Sequence, residues 1–218
     1  MELLTPNQRA GRTRRDRTRQ QVLAATHELL KDRSYDDLRV ADIVKAANIG
    51  EATLYQVFRH KAAVVASLFL EHYQPIEADA ERETTDAAIA STEVLSAFLM
   101  RLATLAQAEP ALARAYLRAF VAEAYMREPL PDALDDLTRP GAFCQSLLER
   151  GLRAGVVSHT LAVEGVGELL IVTVLQAVLR HGPDQGSLIA RRLVEAMFGQ
   201  PDDVKPSRKT RGRKGANT

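Results

Sequence analysis

The side chains best suited to chemistry crowd between positions 53 and 61: Thr53, Tyr55, Gln56, Arg59, His60 and Lys61. Arg14, Arg15 and Arg39 add further cations upstream. Hydroxyls and cations hold phosphate oxygens, while an amide such as Gln56 can take an adenine edge through two hydrogen bonds. Tyr55, with a single hydroxyl, suits a phosphate; Thr53 suits either the backbone or a thymine methyl. This is the chemistry of recognition. Groups for bond-making are missing from the pattern. His27, His60, His72, His159 and His181 are scattered, with no pair at ligand spacing beside a carboxylate or cysteine, so no metal is expected. Cys144 has no neighbour to activate it and is expected to be a small buried hydrophobe. Gly165 and Gly167 lie inside an apolar helical run and suit close helix packing, not a phosphate loop. Neither an enzyme nor a cofactor is expected.

Two short helices must position the recognition groups. Val40, Ile43, Val44 and Ala47 recur at helical spacing. Ile49, Leu54 and Phe58 form a second apolar row, offset by a turn. Asn48 stands where the chain must reverse, and Asn tolerates the left-handed conformation. Gly50 can cap the second helix, and Glu51 places negative charge in its first turn. Gly50, Glu51, Ala52, Thr53, Tyr55 and Gln56 then form the leading edge of a helix that a helix-turn-helix lays in a DNA groove.

The run from Leu38 to Lys61 resembles the signature of the TetR (tetracycline-repressor-like) regulators. Thr53, Leu54, Tyr55, Phe58 and Lys61 carry the match, and its specific part spans residues 18 to 66. Arg39 stands where that family usually has Thr, Asn48 where it has Gly, and Gly50 near its Ser or Thr. Val57 stands where His is frequent, which removes one phosphate contact. The resemblance implies a homodimer on a pseudo-palindromic operator, a fourth helix joining the DNA-binding domain to a ligand domain, and most often a repressor released by a small molecule. A different reading, a helical module using the same three helices for protein contact, is disfavoured by the charge of the Thr53–Lys61 face.

The rest of the composition agrees with an all-α fold. Ala and Leu dominate, Trp is absent, and no β-branched alternation gives a strand a home. A single cysteine excludes an intrachain disulfide and suits a reducing cytoplasm. The most apolar run, Val166 to Leu179, contains Glu168 and Gln176 and is too short to span a bilayer. A net charge of +1 hides a segregation: residues 1–61 hold 12 basic against 8 acidic side chains, residues 201–218 hold 6 against 2, and the middle holds 11 against 18. Both ends suit a polyanion, and the body repels one.

The expected order is a basic arm over 1–15, a helix-turn-helix domain over 16–61, a helical ligand-binding and dimerisation domain over 62–200, and a disordered basic tail over 201–218. The first helix is expected to start near Asp16. The fourth starts at Lys61, and Pro75 should end or kink it near Gln74. Basic groups at that start oppose the helix dipole unless phosphate meets them, which favours a contact role for Arg59, His60 and Lys61. Five more helices are expected, with Pro140 and Gly141 interrupting one and Gly155 stopping it. Arg101, Tyr116, Phe120, Glu123, Gln145, Thr173 and Gln176 are candidates for lining an effector pocket, with Arg118 and Tyr125 as further polar groups. Leu161, Val172, Leu175, Leu179, Leu193 and Met197 are the expected seam of the dimer. The expected partners are double-stranded DNA, an unknown small-molecule effector and a second copy, with no membrane.

Overall fold

The computed structural model describes residues 6–85, 91–124, 131–154 and 164–198. Among these residues there are nine helices and no strand: α1 Pro6–Asp32, α2 Val40–Ala46, α3 Glu51–Val57, α4 Lys61–Thr85, α5 Ser91–Ala108, α6 Pro110–Ala124, α7 Pro131–Arg153, α8 Val166–His181 and α9 Pro183–Phe198. The all-α expectation holds. No described helix is long and apolar enough to cross a membrane.

The first three helices form one end of a core that continues into the rest of the chain. Val22, Leu23 and Leu30 of α1 meet Ile43 of α2 and Leu54 of α3, all essentially fully buried, with Leu38 and Phe58 closing the ends. Tyr35 covers this core as expected. The reversal between α2 and α3 is made by Asn48 at φ 51°, the one non-glycine residue with positive φ among those described. Its amide and that of Ile49 donate to the carbonyls of Lys45 and Val44, so the end of α2 closes with its backbone satisfied.

α1 starts at Pro6, about ten residues before the expected point. Pro is pre-organised for a first helical turn, and the arginines that follow are good helix formers. The arginine-rich arm is therefore a helical extension over its described part. α4 runs on through Pro75, so of the expected end or kink the end does not occur. Gln74 and Pro75 are both exposed, and Glu71, whose carbonyl loses its donor, is half-buried. α7 likewise runs through Pro140 and Gly141. The proposed stop at Gly155 lies outside the described residues.

The body, α4 to α9, is packed around aromatics. Phe69 stacks on Tyr116 at 3.9 Å between centroids, Tyr73 meets Phe98 edge-on at 6.1 Å, and Phe98 meets Phe143 at 5.3 Å. Cys144 is buried in the same core, where burial pushes its thiol up to about 12. α7 and α8 approach backbone to backbone: a Cβ on Gly167 would fall 2.2 Å from the Gly141 carbonyl oxygen and 2.6 Å from the Gln145 nitrogen. The packing role read from sequence fits Gly167. Gly165 instead supplies the left-handed entry to α8, at φ 87°.

The expected dimer seam divides. Leu175 is 0% exposed within one protomer, facing its own core with Leu170, Ile171, Val174 and Val178. α8 is apolar around most of its circumference, so its sequence alone does not reveal which row turns inward. The outward residues are instead Leu169, 64% exposed, and Val172, half-buried, whereas Leu179, also half-buried, turns toward α6. On α9 Leu188 is exposed and Leu193 half-buried. Leu161 and the side chain of Met197 lie outside the described residues.

Candidate nucleic-acid interface

α3 is held from behind and presented in front. Leu54 and Phe58 anchor it in the three-helix core, at 0% and 3% exposure, while Tyr55 is 47% exposed and Gln56, Glu51 and Ala52 are exposed beside it. Thr53 is half-buried. Gly50 caps the helix from an extended conformation, φ −81° and ψ 152°, and its carbonyl accepts the Thr53 and Leu54 amides. Two apolar pins four residues apart thus fix the rotation of α3 and turn positions 52, 55 and 56 outward.

Beside α3 lies a cleft of about 370 Å³ whose lining includes Arg15, Arg19, Tyr55, Gln56, Arg59 and Asp136. The fold thus brings Arg15 to Tyr55, Gln56 and Arg59. Arg19, one turn beyond Arg15, adds a cation that the expected contact set omits, and its guanidinium lies 5.0 Å from the centre of the Phe58 ring. Spacing could have found it, since residues four apart on α1 share a face. Asp136 of α7 is the anion of this cleft. Its carboxyl is raised above the ordinary range, chiefly by burial, with Arg19 and the Ser67 hydroxyl pulling it back. Arg14 is exposed on the same helix, and Arg39 is exposed at the N-cap of α2, away from that cleft's lining.

Two expected contact residues serve the fold. Lys61 donates to the carbonyls of Tyr35 at 2.7 Å and Leu38 at 2.9 Å, and its ammonium sits 4.1 Å from the centre of the Tyr35 ring. It ties the start of α4 to the α1–α2 connector. Partial burial lowers its pKa, against the pull of Asp36 and Asp37. His60 accepts the Ala63 amide on Nδ1 at 3.2 Å, capping α4, and its Nε2 is buried. The unfavourable dipole that suggested phosphate contact at this helix start is thus met internally, by a cap and by two carbonyls.

The candidate effector residues do not converge. Tyr116 donates its hydroxyl to the Leu137 carbonyl inside the aromatic core, and Arg101 pairs with Glu83 between α5 and α4. The Gln145 side-chain oxygen accepts the Gly167 amide at 3.1 Å, and the Thr173 hydroxyl donates to the Leu169 carbonyl at 2.6 Å. Phe120 packs against the core. Glu123 is 5% exposed, with one carboxylate oxygen lacking a partner. Gln176 opens instead onto a groove of about 410 Å³ between α6 and α8. Tyr125 lies outside the described residues. Among the described residues no three His, Cys, Asp or Glu side chains come together as a metal site.

Comparison with known proteins agrees with this geometry. Residues 22–68 match the family model described as bacterial regulatory proteins, tetR family. An uncharacterized HTH-type transcriptional regulator, YdeS of Bacillus subtilis, is 35% identical over 60 residues, which are 28% of this chain and 30% of that protein. Among solved structures, Thermus thermophilus FadR, a TetR-family transcriptional repressor in complex with lauroyl-CoA, superposes with a TM-score of 0.65 at 18% identity, over 89% of this chain and 100% of that one. A TetR-family regulator from Agrobacterium tumefaciens gives 0.60 at 18% identity, over 84% and 99%. RolR in complex with resorcinol gives 0.59 at 18% identity, over 86% and 90%. These structural likenesses show the fold, and the sequence match falls on the helix-turn-helix itself. Over residues 22–68 the chain is similar to the tetR family of bacterial regulatory proteins, and over most of its length it shares the fold of these solved structures.

Proposed function

We propose that the chain is a DNA-binding transcriptional regulator that reads a pseudo-palindromic operator as a homodimer. One observation carries the reading: α3 is pinned by Leu54 and Phe58 so that Tyr55 and Gln56 face outward beside Arg15, Arg19 and Arg59. Tyr55 and the arginines hold phosphates, and Gln56 reads a base edge. The DNA-binding domain ends near Lys61, and the body from residue 62 provides dimerisation and effector binding. Leu169 and Leu188, exposed on α8 and α9, mark the outer faces that pair with a second copy. Two-fold pairing sets the two recognition helices about 34–36 Å apart, or a multiple of that, as successive half-sites require. The repressor in complex with lauroyl-CoA and the structure with resorcinol support release by a small molecule, which requires different affinity for the bound and released arrangements. Electrophoretic shift of a duplex from the chain's own upstream region, against a scrambled duplex of equal length, tests it. Equal retardation of both, or of neither, contradicts it.

A further inference from the structure

α6 faces two ways. It packs against α1, and Arg118 reaches the α1–α2 connector, where its Nε meets the Asp36 carboxylate at 2.8 Å. The same Arg118 lines the groove of about 410 Å³ between α6 and α8, together with Arg114 and Arg180. Leu117, Val121 and Leu179 form its apolar wall, and Gln176 supplies an amide. Among the described residues no carboxylate lines this groove. Arg114 and Arg180 have no ion-pair partner among the described residues, and Arg118 pairs with Asp36 at the groove's edge, so three cations line an apolar slot.

We propose that this groove binds an amphiphilic anion, a carboxylate or phosphate head on an apolar tail, with Arg118 shared between that head and Asp36. The inference deepens the ligand-responsive reading above and rests on it for its link to DNA. Guanidinium groups match such heads through paired hydrogen bonds. The volume falls in the range of small-molecule sites, and the Leu117, Val121 and Leu179 wall suits an alkyl or aryl tail. A cation would be repelled, and a neutral apolar molecule would gain nothing from the three guanidinium groups. A second copy laid groove to groove would oppose like charges. An anion that draws Arg118 toward itself weakens the hold on Asp36, which lies next to the Tyr35 carbonyl that Lys61 grips. Ligand and duplex therefore oppose each other, and by linkage each weakens the other equally.

Calorimetric titration of the full chain with octanoate, octyl phosphate, inorganic phosphate and octylammonium tests the site. Octanoate or octyl phosphate is expected to bind, the tighter of the two identifying the head. Inorganic phosphate is expected to bind more weakly, and octylammonium, with the same tail and opposite charge, not at all. Arg114→Ala and Arg180→Ala should each weaken the anionic amphiphile about tenfold, as loss of one charge-assisted hydrogen bond implies. Asp36→Asn releases Arg118 and should tighten it several-fold. The same ligand should lower duplex affinity in the parent chain and do so less in Asp36→Asn. Octylammonium binding as tightly as octanoate, amphiphile binding indifferent to both arginine changes, or binding that leaves duplex affinity untouched overturns the proposal. Duplex affinity without any ligand is measured alongside: its absence refutes the regulator reading, whereas its presence with an inert groove refutes this inference alone.

Discussion

Lys61→Met separates a staple from a phosphate clamp. The ammonium makes hydrogen bonds of 2.7 and 2.9 Å to the Tyr35 and Leu38 carbonyls and lies over the Tyr35 ring. Hydrogen bonds from a charged donor contribute about 1.5–3 kcal/mol each, and a cation–π contact about 0.5–1 kcal/mol at an exposed site. Lys61 is only half-buried, and water can reach the two carbonyls once it is gone, so the expected loss is about 2 kcal/mol, well below the simple sum. Met keeps the apolar stem, which isolates the ammonium. Urea unfolding at fixed protein concentration reads the stability. A salt titration of duplex binding reads the other role, because each lost phosphate contact lowers the slope of log affinity on log salt by about 0.9. The structure predicts a destabilised variant with an unchanged slope. Unchanged stability with a slope lower by about 0.9 would show that Lys61 grips DNA and that the internal bonds are incidental.

Gln56→Ala should change the preferred base at one position per half-site by about 1–3 kcal/mol, whereas Tyr55→Phe should weaken all sequences alike; a binding-site selection with each variant checks both. Gly167→Ala should destabilise by about 3 kcal/mol or more in thermal unfolding, since the new methyl would lie 2.2 Å from the Gly141 carbonyl oxygen and the two helices must part. Leu169→Glu should leave a folded protomer but shift sedimentation toward monomer, while Leu175→Glu, at a site with 0% exposure, should fail to fold. A Leu169→Glu protein that remains dimeric would place the interface elsewhere.

What the sequence made legible was local. The helix-turn-helix follows from apolar spacing, from Asn48 at the reversal and from Gly50 at the cap, all within about one turn of the residues they organise. The outward aim of Tyr55 and Gln56 follows equally from Leu54 and Phe58. Roles set by distant partners were not legible. Lys61 finds its carbonyls 26 and 23 residues upstream, and nothing in its neighbours distinguishes that from a phosphate contact. The inward turn of Leu175 depends on which neighbours α8 meets, because its apolar residues surround the helix. Pro75 misleads for a related reason. Its cost depends on whether the orphaned carbonyl faces solvent, a property of the packed helix and not of the residue. Arg114 and Arg118, one turn apart on α6, are visible as a pair, but Arg180 joins them only through the packing of α8 on α6.

The most direct measurement of the central claim is fluorescence anisotropy of a duplex from the upstream region, titrated with the chain across a range of salt concentrations, with Arg15→Ala and Gln56→Ala run beside it. Sequence-specific binding is expected, with a salt slope that falls by about 0.9 in Arg15→Ala and a Gln56→Ala protein whose slope is unchanged but whose sequence preference is reduced. Binding that is equally tight to scrambled duplex, with both variants indistinguishable from the parent, would contradict a DNA-reading role for α3.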